Sequence, residues 1–318
     1  MTFQFLNPSQ TSLLSTAGIG LQDRDAWTPL YSDVDLSLDR DAGIYWCHLQ
    51  PQSRPSVTPE LLRDVTSMQS FLRNRMAQTP ENELPFKYFV VASRSTGIFN
   101  LGGDLRLFAD AVRKGHKLLL QKYAHSCVDI VWNNVVSYDQ PVVTMALVQG
   151  DALGGGFETA LSCNVIVAER SARFGLPEVL FNLFPGMGAY SLIARRIGAV
   201  EAERMILSGR IYTAEELHRI GLVDVLAEDG EGEAALRAWC ARQSRSHNAM
   251  QAVFRTRNRV AGISLQELRD VVDIWVDAAM RLAPSDLKKM ERLAAAQDRR
   301  CNICLLYTSP SPRDQRGS

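Results

Sequence analysis

Four apolar runs of strand length punctuate the first part of the chain, at 44–49, 86–92, 141–148 and 165–168. Each is rich in β-branched and aromatic residues and bounded by turn formers, the pattern of strands buried on both faces. Between them apolar positions recur at helical spacing. Leu61, Leu62, Val65, Met68 and Leu72 mark a helix over 60–76, and a longer one covers 116–137. Strands alternating with helices predict an α/β fold with mainly parallel pairing. From 198 onward the pattern becomes helical almost throughout: 201–208, 213–220, 233–244, 248–260, 265–282 and 286–300. Thr213-Ala214-Glu215-Glu216 has the form of a capping box at one helix start. The chain thus divides into an irregular arm (1–40), an α/β core (41–197), a helical region (198–300) and a tail (301–318). The tail is rich in Ser, Pro and Arg and lacks periodicity, so it reads as disordered or as foreign sequence outside the fold.

Composition narrows the function. The chain has 318 residues, 46% of them hydrophobic, enough for a substantial core. Lys+Arg and Asp+Glu are equal at 35 each, which argues against nucleic acid as the main partner. The first twenty residues lack a basic segment followed by an apolar run, and no stretch approaches eighteen apolar residues. Neither a secretory leader nor a membrane span is expected, and the cytoplasm is the expected location. Six cysteines stand at 47, 127, 163, 240, 301 and 304. They form no dense disulfide framework, and Cys301/Cys304 have no second pair, so neither a metal nor a cofactor is expected. The histidines at 48, 116, 125, 218 and 247 share no ligand or triad spacing. Ser162 and Ser191 lack a nucleophile elbow, and Cys163 reads as core.

Chemistry concentrates in three glycine-marked segments. Gly154-Gly155-Gly156 lies between a strand end and a helix start and is followed by Phe157 and Glu158. Alone, such a turn is a tight connection. It also permits close approach of a ligand to bare N–H groups beside the positive end of a helix. Gly102-Gly103-Asp104, after a separate strand, can present a second N–H to the same point. Two such donors make an oxyanion hole, each worth about 3 kcal/mol in a water-excluded site. The segment is neither a dinucleotide fingerprint nor a P-loop. Glu158 taken singly is a first-turn carboxylate facing a helix dipole. Glu178 follows Pro177 in otherwise apolar surroundings (Phe174, Leu176, Val179, Leu180, Phe181), which should raise its pKa by desolvation. Two glutamates beside two N–H donors suit proton transfer next to a thioester carbonyl. Trp275 lies on an apolar stripe with Leu268, Val271, Val272 and Ala279 that packs in the core or lines an acyl tunnel. Met187 in Pro185-Gly186-Met187-Gly188 borders the same region.

These segments resemble the crotonase (enoyl-CoA hydratase/isomerase) superfamily. The likeness rests on Gln149-Gly150-Asp151-Ala152-Leu153-Gly154-Gly155-Gly156-Phe157-Glu158, on Asn100-Leu101-Gly102-Gly103-Asp104 and on Gly175-Leu176-Pro177-Glu178, and covers about residues 40–300. The twenty-residue gap between the glutamates is similar to that of hydratases with two catalytic carboxylates. The runs Phe99–Leu105, Gly156–Cys163, Gly175–Phe181 leading into Leu183–Ser191, and Ile274–Met280 further resemble the diffusible signal factor synthases of quorum sensing. The resemblance implies a spiral of ββα repeats with a helical C-terminal region that trimerises, often into hexamers. It implies Glu158 and Glu178 as the acid/base pair, without saying which is which. Gly103 and Gly155 would form the oxyanion hole, with Gly102 beside them. The implied activity is dehydration of a medium-chain 3-hydroxyacyl group on acyl carrier protein to the cis-2-enoyl thioester, then hydrolysis to a free fatty-acid signal. A sensor kinase is an implied partner. Two other readings stand beside it: an enoyl-CoA hydratase or isomerase of fatty-acid metabolism, and a non-catalytic acyl- or partner-binding scaffold.

Overall fold

The computed structural model describes residues 25–308, with side chains through residue 298. The elements in chain order are β1 (Val34–Asp39), β2 (Ile44–Leu49), α1 (Pro59–Ala77), β3 (Tyr88–Ser93), β4 (Ile98–Asn100), α2 (Leu105–Arg113), α3 (Lys117–Val135), β5 (Val143–Val148), β6 (Asp151–Leu153), α4 (Gly155–Ser162), β7 (Val165–Glu169) and β8 (Arg173–Gly175). A 3-10 turn over Pro177–Phe181 follows. Then come α5 (Ala189–Ile197), α6 (Ala199–Ser208), β9 (Ile211–Thr213), α7 (Ala214–Arg219), β10 (Val225–Ala227), α8 (Gly232–Gln243), α9 (His247–Val260), α10 (Leu265–Ala279) and α11 (Pro284–Thr308).

Two sheets result. The larger has the order β1-β2-β3-β5-β7-β10, the smaller β4-β6-β8-β9. Pairing is parallel except for β1 with β2 and β8 with β9. Each long strand of the large sheet (β3, β5, β7) is followed by a three-residue strand of the small one (β4, β6, β8) and then by helical structure. That is the expected ββα repeat. The large sheet is covered on both sides, which explains its continuous apolar runs. Tyr45, Cys47, Phe89 and Val91 face α1 and α3, while Ile44, Trp46, Tyr88 and Val90 pack with Leu236 and Cys240 of α8.

The repeat decides where the site falls. β4, β6 and β8 are adjacent and parallel, in register through Asn100↔Ala152, Ala152↔Phe174 and Leu153↔Gly175. Their carboxyl ends therefore stand side by side, the place where parallel α/β sheets bind ligands. Segments 101–104, 154–158 and 176–178, far apart in the chain, leave from those three ends.

Several sequence expectations need correction. The arm is not irregular to residue 40: residues 34–39 form β1, whose apolar Val34, Leu36 and Leu38 alternate with polar neighbours as an edge strand with one covered face requires. Leu105–Arg113 is a helix, capped by Asp104, where none was expected. α10 stops at Ala279, three residues short of the expected end, and α11 starts at Pro284 in the first-turn position that proline favours. The tail continues α11 as far as Thr308 instead of breaking at residue 301. Most of the N-terminal arm and residues 309–318 lie outside the described residues.

Candidate active site

The first loop is held by its own polar side chain. Asn100 Oδ1 accepts from Gly102 N–H (2.8 Å), Gly102 O accepts from Val57 N–H (2.7 Å), and Leu101 N–H donates to Pro55 O (2.7 Å). Gly102 has φ +90°, and a Cβ there would lie 2.8 Å from Leu153 O and 3.0 Å from Gly155 N. Only glycine allows the loops to approach this closely. A Cβ on Gly155 would stand 3.6 Å from Gly103 N. Among the described residues, neither Gly103 N–H nor Gly155 N–H has a hydrogen-bond acceptor. Two unengaged donors thus sit together, one of them at the start of α4.

Glu158 is only 1% exposed. It lies in the first turn of α4, so it faces the helix dipole and the cavity together. Its Oε1 accepts from Met187 N–H (2.7 Å) and Ala189 N–H (2.9 Å), both in the turn that begins α5. Burial pushes its pKa up to about 7, and these two backbone bonds restrain the rise by favouring the carboxylate. Glu178 sits in the 3-10 turn after β8. Its residue surface is partly open, but Oε2 is buried and without a partner among the described residues. Its Oε1 lies where a Cβ on Gly154 would come within 2.5 Å, so the first glycine of the triplet makes room for it. Desolvation, then repulsion from Glu158, pushes Glu178 up to about 8. The two carboxyls form an interacting pair in which Glu158 is the better stabilised anion and Glu178 the better proton holder.

Both glutamates, Gly102, Gly103, Gly155, Met187 and Trp275 line one cavity of about 40 Å³. The structure therefore gathers every site residue singled out in the sequence. The rest of the wall is mainly apolar, from Leu105, Phe108, Ala124, Phe181 and Leu293. Trp275 meets Phe108 edge to face (5.1 Å), and a Cβ on Gly186 would strike its ring at 2.5 Å. No histidine lines this cavity, and no metal-ligating cluster occurs among the described residues. Ser162 donates to Thr159 O, Ser191 to Glu267, and Cys163 is buried, so none of the three is poised as a nucleophile.

Sequence reading missed several contributors. Gly154 was legible as part of the triplet but not as the seat of Glu178. Asn100 carried a signal, an amide two residues before a glycine needing a fixed N–H. The backbone N–H groups of Met187 and Ala189, and the walls Phe108, Tyr123 and Cys127, carried none, because local pattern does not reveal which distant turn reaches a carboxylate.

Comparison with known proteins agrees with this geometry. "Probable enoyl-CoA hydratase echA8" of Mycobacterium tuberculosis is 30% identical over 239 residues, 74% of this chain and 85% of that protein. The peroxisomal fatty acid beta-oxidation multifunctional protein AIM1 of Arabidopsis thaliana is 31% identical over 197 residues, 62% of this chain. The chain spans only 26% of that longer protein. Among solved structures, an enoyl-CoA hydratase from Bacillus halodurans superposes with a TM-score of 0.70 at 22% identity, covering 82% of this chain and all of that one. Two of these three, the mycobacterial protein and the Bacillus halodurans structure, are enoyl-CoA hydratases by name, and the third is a fatty acid beta-oxidation protein, which favours the hydratase reading over the signal-synthase reading. The family described as enoyl-CoA hydratase/isomerase matches residues 68–273, and the chain belongs to it.

Proposed function

We propose that this protein adds water to, or removes it from, the C2–C3 bond of an acyl-CoA thioester, as an enoyl-CoA hydratase. One observation carries this reading: two carboxyls, both pushed above the usual carboxylate range by burial, face the same cavity as two unengaged N–H donors. The thioester oxygen accepts from Gly103 and Gly155, so charge that develops on it in the transition state meets fixed dipoles. In hydration, the Glu158 carboxylate takes a proton from water as its oxygen bonds to C3. Glu178 gives its proton to C2 as the C=C π pair moves there. Dehydration runs the same steps backwards. The sequence left acid and base open; the backbone bonds to Glu158 and the orphaned Oε2 of Glu178 support this assignment.

The decisive experiment incubates the protein with trans-2-enoyl-CoA in H₂¹⁸O and reads the product by mass spectrometry. A 3-hydroxyacyl-CoA with one ¹⁸O is expected. Absence of hydroxyacyl product across chain lengths would overturn the reading. The rate should peak between the two carboxyl pKa values, near pH 7–8. It should fall on the acid side as Glu158 protonates and on the basic side as Glu178 ionises. A flat profile from pH 5 to 9 would contradict the pair.

A second reading is a signal synthase that releases a free cis-2-enoic acid from 3-hydroxyacyl carrier protein, with a sensor kinase as a further partner. The runs Gly156–Cys163 and Gly175–Ser191 favour it. Free acid from 3-hydroxydodecanoyl carrier protein would establish it; an intact enoyl thioester would exclude it. Self-association is also proposed, supported by exposed apolar side chains at Leu180 (57% exposed), which lies beside Gly209, and Ile211 (44% exposed), which lies beside Gly175. Sedimentation measures it.

A further inference from the structure

A second cavity lies directly behind the catalytic one. It is lined by the inner face of the large sheet (Cys47, Phe89, Val91), by α1 (Leu61, Val65) and by α3 (Ile130), and its volume is also about 40 Å³. Cys127 and Met187 line both cavities and so form the wall between them. On the inner side the polar groups are already engaged. Gln69 Nε2 donates to Ile130 O (3.3 Å), Asn133 Nδ2 donates to Gln69 Oε1 (2.7 Å), Asn134 Nδ2 donates to Ser162 Oγ (3.0 Å), and Thr159 Oγ1 donates to Gly155 O (2.8 Å). Asn100 also borders the space, with its Oδ1 engaged by Gly102 N–H (2.8 Å), and the rest of the lining is mainly hydrocarbon and sulfur. Such cavities stay dry and take apolar guests.

The wall is suited to opening. Met187 is anchored by its backbone, whose N–H holds Glu158, while its side chain lies over Gly155, Sδ 2.6 Å from where a Cβ would stand. An unbranched thioether with three rotatable bonds can turn aside without moving that anchor. Opposite it, Cys127 is small.

We propose that the inner cavity receives the distal methylenes of a straight-chain acyl group, with the Met187 side chain as the gate between it and the catalytic cavity. This rests on the acyl-thioester reading above and deepens it, because it makes the protein selective for medium or long unbranched chains. Each methylene buried there raises affinity about fourfold, until the cavity floor at Leu61 and Val65 stops the chain.

Two measurements test it. In the first, the full chain is photolysed with a pantetheine thioester of dodecanoic acid carrying a diazirine at its terminal carbon, and labelled peptides are mapped. Labels within 61–69 or 128–134 are expected. Labels confined to Phe108, Trp275 or Leu293, or no label in the two named segments, would overturn the proposal. In the second, kcat/KM is measured for enoyl-CoA substrates of four to sixteen carbons. Val65→Phe, which fills the cavity, should cost at least about tenfold at twelve carbons and at most about twofold at four, since the removed methylenes are those it displaces. Val65→Ala should move the preference to longer chains. Equal effects at all lengths would overturn the proposal. Should Val65→Phe fail to fold through overpacking, Val65→Ala and the labelling still decide. Wild-type protein inactive at every length would sink the hydratase reading alone, since the labelling needs no turnover.

Discussion

Asp104 and Glu178 occupy matching places. Each is an acid just beyond the carboxyl end of a small-sheet strand, β4 or β8; Glu178 lines the catalytic cavity, whereas of the Asp104 loop it is the neighbours Gly103 and Leu105 that do. Their treatment differs. Asp104 is 4% exposed, and its oxygens are engaged: Oδ1 accepts from Arg106 N–H and Leu107 N–H (3.1 Å each), while Oδ2 meets Arg54 Nη2 at 2.6 Å. It caps α2. Glu178 Oε2 is buried with no partner among the described residues, and its pKa rises. A buried acid that is fully bonded holds the fold, whereas one left short of partners stores a proton for transfer. Glu158 lies between, with two N–H bonds on one oxygen and burial still dominant.

This contrast can be broken most sharply at the glutamates. Glu158→Ala and Glu178→Ala should each lower kcat by about 10²–10⁴-fold with the circular dichroism of the native protein retained; near-normal turnover in both would remove the assignment. Next comes the donor pair. Gly102→Ala forces a Cβ against Leu153 O at positive φ, which should displace the facing loops and cost about 10²–10³-fold in kcat. Asp104→Ala should act on stability instead, by about 1–2 kcal/mol from the lost cap, read as a lower denaturant midpoint. If it abolished turnover without destabilising, the distinction between bonded and unbonded acids would fail.

The smallest effect is thermodynamic. A carboxyl whose folded pKa lies above its unfolded value leaves the native state holding more protons between the two. Stability then falls as pH rises from about 4.5 through about 8. Glu178→Gln, which has no proton to lose, should therefore melt higher than wild type at pH 8, with the gap closing toward pH 5. A gap independent of pH would place the raised affinity elsewhere.

Much was legible in the sequence because the decisive features are local. The glycine triplet, the second glycine pair and the apolar setting of Glu178 are readable within ten residues each. The capping box at Thr213 is present, with Glu216 Oε2 accepting from Thr213 N–H (2.9 Å) and Thr213 Oγ1 accepting from Glu216 N–H (3.1 Å). The short strands β4, β6, β8, β9 and β10 were not readable, since three residues are too few to show a period of two. β1 did show its alternation and was hidden by the polar residues around it.

The sequence by itself determined the alternation of strands and helices and the chemical types at the site. Hydrophobic period and glycine placement act over single turns and strands, so the linear order suffices to read them. Only the tertiary structure decided that β4, β6 and β8 lie parallel and adjacent, bringing segments 101–104, 154–158 and 176–178 to one point. It alone gave Glu158 two backbone donors from the start of α5 and left Glu178 Oε2 with none among the described residues. It also placed Met187 between two cavities. Desolvation and hydrogen-bond partners depend on neighbours distant in the chain, and those are set by packing.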